Sequence, residues 1–329
     1  MTRTLAARHE SFALHAPFRI ARGVRTAAEV VTVTIRDGDA TGRGEGTPYP
    51  RYGESVAGVL ATIAGVRGAI ESGADRTALL DLLPPGAARN ALDCALWDLD
   101  ARLTGRTVAE ISGCPTPGRI ASALTIVIDT PSAMARAAAA VATAPLLKVK
   151  VDALDPAAQV RAVRGMAPGA TLIVDPNESW DEALATRMRA VLVEARVALL
   201  EQPAPANADA WLAGFDAGAP VCADESAHVA GDLDALIGRY DVVNVKLDKA
   251  GGLTAALVLA QAARARGIGV MTGCMVASSL SIAPALHVAA SSDFVDLDGP
   301  LWLAEDRHGG VRDEGGMLQP PAPGFWGGA

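Results

Sequence analysis

The chain has 329 residues, 50% of them hydrophobic, 20% charged and only 4% aromatic, with a net charge of −8. That length allows two domains, or one large α/β barrel with an attachment, and the acidic balance argues against nucleic acid or an anionic membrane surface as partner. No run of about 18 uncharged apolar residues is available to span a bilayer, and the opening Met1-Thr2-Arg3-Thr4-Leu5 lacks the apolar core of a signal peptide.

Residues from about 3 to 45 alternate in the manner of antiparallel strands, and Val30-Val31-Thr32-Val33-Thr34-Ile35 before Asp37-Gly38 is a strand-then-turn signal. Within this stretch Ile20-Ala21-Arg22-Gly23-Val24-Arg25 forms a glycine-containing loop, whose Arg22 and Arg25 are suited to clamp a carboxylate. Tyr49, Arg51 and Tyr52 are in a similar position. Further on, the leucines at 92, 96, 99 and 103 make one stripe of a helix that Gly105 would stop. This first third reads as an α+β unit.

From about residue 119 the rhythm becomes strand, loop, helix, repeated. Strands are expected at 120–127, 146–151, 171–175, 197–201, 219–224, 242–247, 268–272 and 293–297. The helices between and after them are expected at 131–143, 156–165, 181–194, 207–215, 231–238, 252–266 and 279–290. Eight strands with intervening helices imply a closed parallel barrel with right-handed crossovers. An open doubly wound sheet fits less well, because no glycine-rich phosphate fingerprint follows the first strand. The tail after about 299 carries many Gly and Pro and is expected to fold back on the first unit. Cys94, Cys114, Cys222 and Cys274 lack metal-finger spacing, so free thiols in a reducing cytoplasm are expected.

Several of these strands end in a charge. They are Leu146-Leu147-Lys148-Val149-Lys150, Leu172-Ile173-Val174-Asp175, Leu199-Leu200-Glu201, Val221-Cys222-Ala223-Asp224 and Val243-Asn244-Val245-Lys246. Parallel strands that carry charges at the same end bring them to one mouth of a barrel. Asp175, Glu201 and Asp224 are hard oxygen donors of the kind that suits Mg²⁺ or Mn²⁺, and a cation would relieve the repulsion among them.

Lys148 and Lys150 alternate, so they point to one face, while Leu147, Val149 and Val151 face the helices. Their mutual repulsion and an adjacent cation are expected to lower at least one lysine pKa and make a usable base. Lys246 stands four strands further round, across the mouth from Lys150. Two bases so placed invert a stereocentre. Asp296 and Asp298 alternate at the end of the last strand and suit a substrate cation such as an ammonium group. The five histidines form no cluster, and His228 and His287 read as structural.

Lys148-Val149-Lys150, Asp175-Pro176-Asn177-Glu178-Ser179, Glu201-Gln202-Pro203, Ala223-Asp224-Glu225-Ser226 and Asn244-Val245-Lys246 resemble the muconate-lactonizing branch of the enolase superfamily. Within it, Asp296-Leu297-Asp298 is similar to the dipeptide epimerases, and the likeness runs over nearly the whole chain. The resemblance implies a (β/α)₇β TIM-like barrel over 119–298 with an α+β N-terminal capping domain over 1–118, completed by the tail 299–329. It implies one Mg²⁺ per subunit, with Mn²⁺ able to substitute, held by Asp175, Glu201 and Asp224. Lys150 and Lys246 would be the opposed acid/base pair, and Lys148 would steady the substrate carboxylate.

By the same likeness Thr125 and Cys274 line the pocket, Asp296 and Asp298 bind a free amino group, and Arg22 and Arg25 lie in the specificity loop. The implied reaction inverts the α-carbon of the C-terminal acidic residue of a small dipeptide through a metal-stabilised enediolate, in the cytoplasm, in the recycling of cell-wall peptides. Assembly into a homo-oligomer stays open. Alternatives are an N-acylamino acid racemase or cycloisomerase of the same branch, a Schiff-base lysine aldolase, or a non-catalytic binding barrel. One departure is Pro176, which removes a backbone donor beside Asp175 where the family usually has a small non-proline residue.

Overall fold

The computed structural model describes residues 3–328. The chain opens with an antiparallel sheet of β1 (Thr4–Ile20), β2 (Gly23–Asp37) and β3 (Ala40–Gly46), whose first turn, Ala21-Arg22, is closed by the Ile20–Gly23 pair. Three helices follow, α1 (Val56–Glu71), α2 (Arg76–Leu82) and α3 (Ala87–Thr104). The inward side chains Val31, Val33 and Ile35 of β2 meet Ile63 of α1 and Leu92, Leu96 and Leu99 of α3 in one core. The expected leucine stripe stops one turn early, because Leu103 is half exposed where the helix runs past the sheet.

Helix α3 lies on β3 backbone to backbone. A Cβ on Gly42, Gly44 or Gly46 would come within 2.1–2.2 Å of the carbonyl oxygens of Ala95, Ala91 and Ala87. Glycine at alternate strand positions opposite alanine at every fourth helix position makes this close approach possible.

The second part holds α4 (Val108–Ser112), β4 (Ile120–Ala121), β5 (Leu124–Ile126), α5 (Pro131–Ala140), β6 (Leu146–Lys150), α6 (Pro156–Met166), β7 (Thr171–Asp175) and α7 (Glu182–Glu194). It continues with β8 (Val197–Glu201), β9 (Val221–Ala223), α8 (Leu233–Leu236), β10 (Val242–Val245), α9 (Leu247–Ala250), α10 (Leu253–Ala265), β11 (Gly269–Gly273), α11 (Ser279–Ala289) and β12 (Phe294–Asp296). Strands β5 to β12 form an eight-stranded sheet in sequence order, each neighbour parallel. The Ala123 N–H donates to Val295 O at 2.8 Å across the remaining gap, which closes the barrel.

Two expectations need correction. The strand expected at 120–127 is broken in two, and β4 leaves the barrel to pair with β14 (Met317–Gln319) of the tail, itself paired with β13 (Arg312–Asp313). The helix expected at 207–215 is only a 3₁₀ turn at Ala210–Leu212, confined between Pro205 and a left-handed Gly214.

The alternation of strand side chains decides what fills the barrel. Ala123, Leu146, Ile173, Leu199, Cys222, Val242 and Met271, with Phe294 against them, form an apolar floor. Two residues further along the strands, on the same face, come Thr125, Lys148, Asp175, Glu201, Asp224, Asn244, Gly273 and Asp296. The polar layer therefore sits at the C-terminal mouth, and Leu147, Val149 and Val151 face the helices, as their parity requires.

The antiparallel unit is tied to this barrel by buried polar contacts. Asn90 Nδ2 and Thr47 N both donate to Asp248 Oδ1 at 2.8 Å, and Arg89 donates to Ala250 O at 2.7 Å. The tail adds Arg307, 2.7 Å from both Glu10 and the fully buried Glu45, and Trp326 Nε1, which donates to Arg43 O at 2.9 Å. Among the described residues no helix is long and apolar enough to cross a membrane, and all four cysteines are free.

Candidate active site

One cavity at the barrel mouth is lined by Thr125, Lys148, Lys150, Asp224, Lys246, Cys274, Asp296 and Asp298 from the barrel, and by Arg22 and Arg25 from the β1–β2 hairpin. Asp175 and Glu201, both fully buried, belong to the same mouth through direct ion pairs with its lysines. The structure thus brings together these twelve residues, with Tyr49 and Tyr52 beside them, whereas Arg51 stands outside the cavity.

The mouth is a lattice of alternating charge. Lys148 Nζ lies 2.7 Å from Glu201 Oε2, 2.7 Å from Asp296 Oδ2 and 3.2 Å from Asp175 Oδ2. Lys150 Nζ donates to Asp175 Oδ2 at 2.5 Å, and Lys246 Nζ to Asp224 Oδ2 at 2.7 Å. The last ion pair holds Lys246 on the side of the mouth away from Lys150, since β10 stands four strands round from β6 in an eight-stranded barrel.

Local backbone fixes the acids. Asn177 N donates to Asp175 Oδ1 at 2.8 Å, so the donor that Pro176 lacks is supplied one residue later. Gln202, immediately after Glu201, takes a positive φ of 33°, and its side-chain oxygen accepts Asp224 N at 2.8 Å. Asn177 and Glu178 are also left-handed, with φ of 48° and 68°. Non-glycine residues in this region carry strain of order 1–3 kcal/mol each, and they stand here at the ends of β7 and β8, beside the acids.

The ionisation pattern follows from this packing. Burial opposes the charge of Asp175 and Asp224, but lysines outweigh it: Lys150 and Lys148 hold Asp175 low, and Lys246 and Lys249 hold Asp224 well below the usual carboxylate range. Glu201 goes the other way, raised by burial and then by the charge of Asp175. From the protein's own charges neither Lys148 nor Lys246 is lowered, so Lys148 is not the lowered lysine of the expected pair. Burial would lower both, but Asp296 and Glu201 around the first and Asp224 beside the second push them well above the ordinary lysine value. Among protein groups alone, the facing acids exceed the repulsion between lysines.

The acids fit a hard divalent cation. Three buried carboxylates end adjacent strands, and Glu201 Oε2 accepts no directed hydrogen bond although Lys148 Nζ is close to it. Among the described residues no three acidic, imidazole or thiolate groups already stand at a common ligand distance, because lysines lie between the acids. On the far side of the mouth, Asp296 Oδ1 is buried without a partner. Asp298 Oδ2 accepts Thr125 N at 2.8 Å and Trp302 Nε1 at 3.3 Å. Burial and then the charge of Asp296 push Asp298 up to about 6.

Sequence reasoning missed several participants. Phe18 and Ile20 line the cavity and share the parity of Arg22, a signal that strand alternation offered. Asn244, which donates to Glu201 Oε1 at 2.9 Å, sits two residues before Lys246 on the same face. Lys249, fully buried and 2.7 Å from Asp224 Oδ1, and Glu225, which lines the cavity next to Asp224, had no such periodic signal.

A closed parallel barrel with acids and lysines packed at its C-terminal mouth, under an antiparallel cap, is the enolase type of fold. The chain belongs to that superfamily, in its mandelate racemase and muconate lactonizing enzyme branch. Residues 132–325 match the enolase C-terminal domain-like family, and residues 2–113 match the mandelate racemase / muconate lactonizing enzyme N-terminal domain.

Among curated relatives, the L-Ala-D/L-Glu epimerase of Escherichia coli is 50% identical over 92% of this chain and 95% of its own length. An N-acetyl-D-glutamate racemase of a Pseudoalteromonas species is 43% identical over 91% and 96%. A crystal structure of an enolase family member from Agrobacterium tumefaciens with homology to dipeptide epimerases, holding sodium and L-Ala-L-Glu, superposes with a TM-score of 0.96. It is 47% identical and covers 99% of this chain and 100% of that one. The dipeptide epimerase of Methylococcus capsulatus, solved with Mg and L-Arg-D-Lys, gives a TM-score of 0.90 at 32% identity, covering 98% and 99%.

Proposed function

We propose that this chain is a dipeptide epimerase that interconverts L-Ala-L-Glu and L-Ala-D-Glu at the glutamyl α-carbon. The observation that carries the reading is the pair Lys150 and Lys246, on opposite walls of one cavity with buried acids between them. In this reading Asp175, Glu201 and Asp224 hold Mg²⁺, or Mn²⁺ in its place. Bound there, the cation would stabilise charge developing on the substrate carboxylate and weaken the negative field that now raises Lys148 and Lys246.

The chain's own residues do the rest. Lys148 steadies the substrate carboxylate beside the metal acids. One of Lys150 and Lys246 takes the α-proton from its face of the carbon, and the other returns a proton to the opposite face, which inverts the centre. Asp296, with its unpartnered Oδ1, and Asp298 receive the ammonium group of the dipeptide, while Thr125 and Cys274 shape the wall between them. The hairpin that carries Arg22 and Arg25 lines the cavity on the side where a glutamyl side-chain carboxylate would lie.

A second reading, racemisation of an N-acylated glutamate, has support in the Pseudoalteromonas relative. Such a substrate carries no ammonium group to meet Asp298 and the unpartnered Oδ1 of Asp296 at the end of β12, so the dipeptide is favoured. A lysine Schiff base would leave the three acids at the ends of β7, β8 and β9 without a role. Proton NMR in D₂O with Mg²⁺ and L-Ala-L-Glu tests the proposal: deuterium should enter the glutamyl α-position as the diastereomer appears. Exchange with N-acetyl-L-glutamate but with no dipeptide in a panel would refute it.

A further inference from the structure

We propose that Arg22 is a positioning residue rather than a substrate ligand: it pins the β1–β2 turn to the loops after β7 and β9, and leaves Arg25 to meet the anionic side chain. The substrate half of this inference rests on the epimerase reading; the anchoring half does not.

Arg22 occupies the tip of a two-residue hairpin turn, yet its guanidinium is spent on the barrel. Its Nη1 donates to Asn177 O at 3.1 Å and to Glu178 Oε2 at 3.0 Å. Its Nη2 lies 2.6 Å from Glu225 Oε1 and donates to Tyr49 OH at 3.2 Å. The two carboxylates are themselves fixed. The Glu178 side chain is 7% exposed, is held bidentately by Arg51 at 2.8 Å through both oxygens, and accepts Ala206 N at 2.9 Å. The Glu225 side chain is 1% exposed. Both Nη groups of Arg22 are thus already engaged, by Glu178 and Asn177 on one and by Glu225 and Tyr49 on the other, before a substrate carboxylate arrives.

Arg25 is in the opposite state. It lines the same cavity, its guanidinium lies over the Tyr49 ring at 4.5 Å from the centroid, and among the described residues it forms no ion pair with a carboxylate. Its charge is uncompensated, which suits a bidentate pair with an incoming carboxylate. Tyr49 joins the two arginines: its hydroxyl accepts from Arg22 and its ring supports Arg25. Fixing the turn through Arg22 therefore fixes the platform on which Arg25 rests.

The test uses Arg22→Gln, Glu178→Gln and Arg25→Gln in the full chain with Mg²⁺; Glu178 does not line the cavity. Amide hydrogen exchange over residues 18–26 is followed on the protein without substrate, and kcat and KM are measured for L-Ala-L-Glu and for the neutral L-Ala-L-Gln. Arg22→Gln and Glu178→Gln should speed exchange in the turn roughly tenfold, as expected for loss of a charged hydrogen bond. Both should raise KM for the two dipeptides by a common factor with kcat little changed.

Arg25→Gln should leave exchange near the wild-type rate and lower the preference for the glutamyl over the glutaminyl dipeptide by about 10–100-fold. Loss of that preference in Arg22→Gln with exchange unchanged would overturn the assignment, as would a fall in kcat at constant KM. Should the wild type epimerise neither dipeptide, the epimerase reading fails on its own. The exchange data then still decide the anchor, which unaltered exchange in both Arg22→Gln and Glu178→Gln would refute.

Discussion

Asp298→Asn separates what the acidic pair does for function from what it costs the fold. Burial, and then the neighbouring charge of Asp296, moves the Asp298 carboxyl from 3.8 to about 6. A carboxyl raised in the fold contributes its stability below the unfolded value and loses that contribution as pH rises through the folded one. Above about pH 6 the ionised side chain is therefore a liability, of about 3 kcal/mol at roughly 1.4 kcal/mol per pKa unit. Asparagine keeps an acceptor oxygen for Thr125 N and Trp302 Nε1 and carries no charge to desolvate.

The variant should thus be more stable by about 2–3 kcal/mol at pH 8, a rise of several degrees in Tm, with the gain shrinking through pH 6 and nearly gone at pH 4. At the same time it should lose about tenfold or more in kcat/KM for L-Ala-L-Glu, because a charge-assisted partner of the ammonium group is gone. Thermal unfolding at pH 8, 6 and 4.5 beside NMR turnover reads both effects. A Tm shift that is equal at all three pH values, or a loss of stability at pH 8, would refute the reasoning.

Other outcomes follow from the same geometry. Lys150→Ala and Lys246→Ala should each slow epimerisation by at least about 10²-fold, the usual scale for a general acid or base, and keep deuterium exchange from one diastereomer only; exchange lost from both diastereomers, measured by NMR, would argue against opposed bases. Mg²⁺ added after chelation should raise Tm, by about 2.7 kcal/mol of stabilisation at a hundredfold excess over Kd, and Glu201→Gln should abolish most of that rise in a thermal scan. Gly44→Ala would put a Cβ 2.1 Å from Ala91 O, so α3 must move, at a cost of about 1–3 kcal/mol; a Tm equal to wild type would show that the sheet yields freely.

Much of the barrel was legible because strand parity is local. Once Lys148, Asp175, Glu201, Asp224, Lys246 and Asp296 are placed on strands, a repeat of two sends them inward together and sends Leu147, Val149 and Val151 outward. The misjudged elements have non-local causes. β4 is recruited by the tail strand β14, and the segment around Ala210 is caught between other loops, its Asp209 pairing with Arg239 and Tyr240 about 30 residues away. The surroundings of Lys148 escape the sequence for a related reason. Sequence spacing shows Lys148 beside Lys150 but not the three carboxylates from β7, β8 and β12 that surround it.

By itself, then, the sequence determined the strand ends, the inward face and the kinds of side chain that meet at the mouth, since each depends on residues a few positions apart. Tertiary structure alone decided which acid each lysine pairs with, that Arg22 is bound to Glu178 and Glu225 while Arg25 is left uncompensated, and which way each pKa moves. Pairing and desolvation depend on distance and burial between segments far apart in the chain, and no local pattern carries that information.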